Sequence, residues 1–237
     1  GVARLRLSSL QPQEVTPGLV SLWNDTRICP HIHMSLQSGS DTVLQAMGRL
    51  YSAAEYRDAV ARCREAIPDL ALTTDVIVGF PGETETQFRE SYEFCREMAF
   101  AHIHVFSYSA REGTAAARLP QVAEADKKRR FREMSALASE SAGSFARGFL
   151  GRTMDVLWEA EAAPGVWAGH TGNYLKVLAP SPAPLANRIT PARVMDMAEG
   201  FLRAEVLESL GRFQPGRTGA LPLTADLTAS MAREPQC

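Results

Sequence analysis

Hydrophobic and polar positions alternate along the first 110 residues in a strand-then-helix rhythm. Arg4–Leu10, His31–Leu36, Leu70–Phe80 and Ala101–Ser109 read as strands, the third nearly continuous in apolar and β-branched side chains. Continuous apolar strands separated by helices predict a parallel sheet covered by helices. The helices announce their starts. Ser52-Ala-Ala-Glu55 and Thr84-Glu-Thr-Gln87 are capping boxes, in which hydroxyl and acidic or amide side chain each take an orphan backbone N–H. Behind them, Tyr56, Val60, Cys63 and Ile67, then Phe88, Tyr92 and Cys95, recur at helical spacing, so both cysteines are expected in the core. One strand–helix unit per roughly thirty residues gives four units, too few to close a barrel of the usual kind.

Beyond Gly113 the rhythm changes. A long helix is expected over Asp126–Phe149, carrying the basic run Lys127, Lys128, Arg129 and Arg130. Such a run is ordinarily a solvated helix face; the alternative is a surface that touches phosphates. From Gly151 the helical period is lost. Thr153–Glu161, Val166–Leu178 and Ala192–Leu207 read as strands, with turns at Pro164-Gly165, Gly172-Asn173 and Pro180–Pro184. A small all-β barrel is expected over 151–208, and a loose tail over 209–237.

Composition narrows the picture a little. Hydrophobic residues make up 45% of the 237 and charged residues 22%, which is globular. A net charge of −2 advertises no nucleic-acid or membrane partner. Four scattered cysteines exclude a disulfide framework. With no apolar run of ~18 residues and no signal peptide, a cytoplasmic protein is the expectation.

Chemistry is expected at the carboxyl ends of the strands, where parallel α/β folds bind ligands. Three strands run into unusual loops: Gln37-Ser38-Gly39-Ser40, Gly79-Phe80-Pro81-Gly82-Glu83-Thr84 and Ser107-Tyr108-Ser109. Glycines permit close backbone approach, and serine and glutamine offer neutral hydrogen-bonding groups. Alternation puts His31, His33, Ser35 and Gln37 on one face, with Thr73, Asp75, Ile77 and Gly79, and His102, His104, Phe106 and Tyr108. That polar set should line an interior or a cleft. Asp75 there needs a partner: a ligand hydroxyl pair, an ammonium or an arginine. Arg49 is a candidate to clamp a carboxylate. The two His-x-His pairs invite a metal reading. Both sit near the strand beginnings, so interior polar packing is the expected role and no metal ligand is assigned.

The runs Leu36-Gln-Ser-Gly-Ser-Asp41, Met47-Gly-Arg-Leu-Tyr51 and Thr73-Thr-Asp-Val-Ile-Val-Gly-Phe-Pro-Gly-Glu-Thr84 closely resemble the radical S-adenosylmethionine tRNA methylthiotransferases. Ile103-His-Val-Phe-Ser-Tyr-Ser109 followed by Arg111-Glu-Gly-Thr-Ala115 looks most like the branch acting on threonylcarbamoyladenosine. The resemblance covers roughly 4–150 and, more weakly, 151–207.

It implies an α/β fold, a partial radical-SAM barrel of about four parallel strands over 1–150, followed by a small RNA-binding barrel. It implies methylthiolation of carbon 2 of the modified adenosine beside the anticodon, with S-adenosylmethionine and two 4Fe-4S clusters as cofactors and the tRNA anticodon loop as partner. Gln37 and Asp75 would bind the ribose hydroxyls and Arg49 the methionine carboxylate. Ser9 and Ser38 would line the same site, Phe106 and Tyr108 would border the adenine, and Gly79 would admit it.

Three departures stand out. The family's C-x-x-x-C-x-x-C cluster motif is absent. Gln11 stands where the family usually has glutamate. Segment 149–207 has five basic and six acidic residues, so the basic helix is expected to matter more to RNA. The expectation is a carboxy-terminal fragment, inactive alone, whose partner is the amino-terminal half of the same polypeptide. A module that binds S-adenosylmethionine or RNA without a cluster is the alternative.

Overall fold

The computed structural model describes residues 1–198 and 200–207; the expected tail lies outside them. The chain divides into two compact units, residues 1–150 with 172–175, and the remainder from Gly151.

In the first unit four strands form one sheet in sequence order, every pair parallel: β1 (Leu5–Leu10), β2 (Ile28–Met34), β3 (Ala71–Val78) and β4 (His102–Ser107). β2 starts three residues before the expected His31, because Pro30 lies inside it. Proline has no N–H for the ladder, and it reads as a break in sequence. The neighbouring strand absorbs it: the pairing slips from Leu5↔Ile28 to Leu7↔Ile32 across the proline.

The crossovers include α1 (Pro17–Val20), α2 (Asp41–Ala46), α3 (Ala53–Ala66) and α4 (Glu85–Met98), and α5 (Glu124–Arg147) follows β4. Both capping boxes form. Ser52 Oγ accepts from Glu55 N at 3.2 Å while Glu55 Oε2 accepts from Ser52 N at 2.8 Å. Thr84 and Gln87 repeat the exchange at 3.3 and 2.8 Å.

Helices α3, α4 and α5 bury one face of the sheet. Ile32, Met34, Leu72, Val76 and Ile103 meet Tyr56, Val60, Phe88 and Met134 in one core. Cys63 and Cys95 are in that core, as their helical spacing requires, and burial pushes the two thiols up to about 11 and about 12. Buried tyrosines hold the end of β2: Tyr56 Oη donates to Met34 O at 2.6 Å and Tyr51 Oη to Ser35 O at 3.0 Å.

The second unit is a closed barrel ordered β5-β6-β7-β9-β8. Its strands are β5 (Thr153–Ala163), β6 (Val166–Thr171), β7 (Lys176–Pro180), β8 (Ile189–Ala198) and β9 (Phe201–Val206). The expected strand 166–178 is two strands joined through Gly172–Leu175, where Tyr174 takes φ 66°. The expected strand 192–207 is also two, turning at Gly200 with φ 80°, a conformation glycine adopts without strain. Trp158 is fully buried inside, its indole N–H donating to Thr190 Oγ1 at 2.7 Å.

Candidate cofactor site at the carboxyl ends of the sheet

The polar face of the sheet carries the candidate site. Gln37 continues β2 beyond its end with φ 66° and bridges β3: its N–H donates to Asp75 O at 2.8 Å, and Ile77 N donates to Gln37 O at 2.9 Å. Asp75 aligns with His104 on β4, and Ile77 with Phe106. Tyr108 N donates to Val78 O at 2.9 Å, and the Tyr108 ring meets Phe80 edge-on at 5.4 Å. The fold therefore gathers Gln37, Asp75, Phe106 and Tyr108 at adjacent strand ends. Ser9, with φ 62°, is exposed near the carboxyl end of β1.

Asp75 has partners within the chain, which the sequence argument sought from a ligand or an arginine. His33 Nε2 stands 3.1 Å from Asp75 Oδ2, and Ser35 Oγ donates to the same oxygen at 3.1 Å. Burial works to raise the Asp75 pKa. The His33 hydrogen bond and charge, the Ser35 hydroxyl and His104 outweigh it, holding the carboxyl below its ordinary value. The carboxylate is thus held ionised while half-buried. Alternation had placed His33, Ser35 and His104 on this face; their convergence on one carboxylate depends on strand register, which spacing does not show.

Several expected site residues turn out to serve packing. Ser38 is fully buried, its Oγ 2.8 Å from Ser91 Oγ on α4. Gly39 is there for the helix: a Cβ would stand 2.6 Å from Phe94 Cβ and 2.8 Å from Ser91 Cα. Gly79, with φ 73°, donates its N–H to Glu83 Oε2 at 2.8 Å, and a Cβ would meet Lys127 Cγ at 2.3 Å. The lysine stem fills the room expected for a ligand.

The basic run departs furthest from expectation. Arg130 is buried, its guanidinium 2.8 Å from Glu83 Oε2, with side-chain exposures of 5% and 1%. Arg129 pairs with Glu85, Asp126 and Glu133, and Lys127 with Glu124. Of the four, Lys128 alone is exposed by class and in none of the ion pairs described. The run neutralises neighbouring carboxylates, and Arg130 in particular cannot serve a phosphate.

Arg49 keeps a group in reserve. Its Nε is buried with no hydrogen-bond partner, and its charge acts on the Tyr51 hydroxyl. A buried guanidinium N–H without an acceptor suits a carboxylate. An ionised carboxylate and an unpartnered guanidinium N–H are the kinds of group that the ribose hydroxyls and carboxylate of S-adenosylmethionine call for. The described cysteines do not fit an iron–sulfur cluster. They sit on three different elements, β2, α3 and α4, each buried and each a free thiol.

The Radical SAM superfamily profile matches residues 10–95, from the end of β1 into α4. The chain belongs to the radical SAM superfamily. Sequence relatives of this radical SAM chain include tRNA methylthiotransferases of two kinds. It is 35% identical over 201 residues to the threonylcarbamoyladenosine tRNA methylthiotransferase of Bacillus subtilis, covering 82% of this chain and 45% of that protein. It is 39% identical over 200 residues to the tRNA-2-methylthio-N(6)-dimethylallyladenosine synthase of Chloroflexus aurantiacus, covering 82% and 43%. The chain thus spans less than half the length of these relatives. Among solved structures, the radical SAM enzyme coproporphyrinogen III oxidase of Escherichia coli shares the fold, with a TM-score of 0.50 and 16% identity over 71% of this chain and 46% of that one. Among the described residues no helix is long and apolar enough to cross a membrane.

Proposed function

We propose that this chain is the S-adenosylmethionine-holding part of a tRNA methylthiotransferase that modifies threonylcarbamoyladenosine. The observation that carries the proposal is the juxtaposition of Gln37 and the ionised Asp75, on adjacent strand ends, in a fold that also buries an unpartnered Arg49 Nε. Asp75 and Gln37 would accept from and donate to the ribose hydroxyls, and Arg49 would take the methionine carboxylate. Phe106 and Tyr108 offer ring faces beside the adenine position. When bound beside a reduced iron–sulfur cluster, the cofactor supplies a carbon-centred radical able to abstract a hydrogen atom. The residues of this chain bind and orient it, and any cluster must be held by residues other than its described cysteines. The stretch Ile103–Ser109 with Arg111–Ala115 supports the threonylcarbamoyl branch.

The test is a chimera. The matching 201 residues of the Bacillus subtilis relative are replaced by this chain, and nucleosides from the host tRNA are analysed by mass spectrometry. Restoration of the 2-methylthio group on threonylcarbamoyladenosine is expected. A soluble chimera that modifies only dimethylallyladenosine, or neither, overturns the assignment.

A second reading rests on the misfit of the cysteines to a cluster: a module that binds S-adenosylmethionine or RNA and performs no radical chemistry. A soluble chimera that binds S-adenosylmethionine yet leaves both adenosines unmodified is the outcome that reading expects.

A further inference from the structure

We propose that His33, Asp75 and His104 form a binding site for a first-row divalent transition-metal ion, separate from any iron–sulfur cluster. The three residues come from three adjacent strands, β2, β3 and β4, and their ligand atoms lie within 4.8 Å of one another. The strand bounds lift the objection raised by sequence for His33, while His104 stands third of six on β4, opposite Asp75. Because β2 begins at Ile28, His33 is its sixth residue of seven, close to the carboxyl end.

The hydrogen bonds around His33 make the argument. Thr73 Oγ1 lies 3.1 Å from His33 Nδ1, with which it can either donate or accept, and 3.5 Å from Ile32 O. With the ring proton on Nδ1, Nε2 directs a lone pair at Asp75 Oδ2 across 3.1 Å; with it on Nε2, the ring donates to that oxygen instead. In the first of these tautomers a lone pair faces a carboxylate, an arrangement that a positive charge between them stabilises. A second proton on the ring would supply one, and a metal ion supplies one as well. Two observations favour the metal. First, ligand atoms bonded at 2.0–2.2 Å to one ion stand about 3.3–3.6 Å apart in tetrahedral geometry and about 2.8–3.1 Å apart at right angles, so the 3.1 Å between His33 Nε2 and Asp75 Oδ2 admits one ion between them. Second, another imidazole, His104, converges on the same carboxylate, its ring centroid 5.9 Å from that of His33. A proton needs no third ligand; an ion does.

Two imidazoles and one carboxylate with remaining positions open suit Fe2+, Zn2+ or Co2+ and are poor for Mg2+ or Ca2+. Thr73 Oγ1, 3.1 Å from His33 Nδ1, stands where the outer partner of a metal-bound histidine would. His104 is half-buried on the last strand of the sheet.

The experiment titrates Co2+ into the chain without S-adenosylmethionine, because cofactor and ion both ask for Asp75. Visible d–d absorption saturating at one ion per chain, displaced by Zn2+, is expected. His33→Ala, Asp75→Asn and His104→Ala each weaken binding at least tenfold, Thr73→Val weakens it about tenfold, and His102→Ala leaves it within threefold. In the wild-type chain, ring-nitrogen NMR signals of His33 and His104 shift with Zn2+ while that of His102 does not. The NMR arm needs no variant to fold. Absence of saturable Co2+ absorption, or binding that survives loss of both His33 and His104, overturns the proposal.

Discussion

The pair Glu83–Arg130 ties the loop after β3 to helix α5, and removing the arginine is expected to be costly. Arg130 Nη1 donates to Glu83 Oε2 at 2.8 Å and to Glu83 O at 3.0 Å; Glu83 Oε2 also accepts from Gly79 N at 2.8 Å. Both side chains are almost wholly buried. In Arg130→Ala, two charge-assisted hydrogen bonds are lost and a carboxylate is stranded with one backbone amide. At about 1.5–3 kcal/mol for each bond to a charged group, the sum lies near the about 3–5 kcal/mol typical of breaking a buried pair from one side. Burial already pushes the Glu83 pKa up, against the Gly79 amide and Arg130. Without the arginine it rises further, and uptake of a proton caps the loss. Glu83→Gln combined with Arg130→Met removes both charges and is expected within about 1–2 kcal/mol of the parent, since a buried pair adds little over apolar packing. Urea unfolding followed by ellipticity at 222 nm reads the first unit, which holds α1 to α5. A loss below about 1 kcal/mol for Arg130→Ala would refute the structural role of the pair and restore Arg130 as a candidate for phosphate contact.

Two further outcomes follow from packing. Gly39→Ala is expected to destabilise the first unit by about 1–3 kcal/mol, because the new methyl meets the backbone of α4 at Ser91 as well as the Phe94 side chain. The same urea titration measures it, and a neutral result would mean that α4 gives way easily. Native Cys95 and Cys63 are expected to resist iodoacetamide at pH 8, since burial holds both as thiols at about 12 and about 11. Mass spectrometry with and without urea checks this, and rapid native labelling of either contradicts the core placement.

The alternating first unit was legible because its signals are local. Capping boxes at Ser52 and Thr84 and apolar runs at Leu72 and Val76 need no partner to be recognised. The barrel was legible as a barrel and not as five strands, because Gly200 sets a tight turn with few surrounding turn residues. The site was half legible. Alternation put Asp75 on the polar face, yet only register sets His33, Ser35 and His104 around it. The basic run was only partly legible: Glu124, Asp126 and Glu133 lie one helical turn from their partners, whereas Glu83 and Glu85 lie more than forty residues from Arg130 and Arg129. Ser38 and Gly79 misled, since a small residue at a strand end suits a close-packed helix or side chain as well as a ligand.

The proposed site holds S-adenosylmethionine at the strand ends through Asp75 and Arg49. Isothermal titration calorimetry of S-adenosylmethionine against the chain, and against its Asp75→Ala and Arg49→Ala variants, tests it most directly. Saturable one-to-one binding, weakened at least tenfold by either substitution, is expected. No saturable binding, or binding that both variants retain in full, would contradict it.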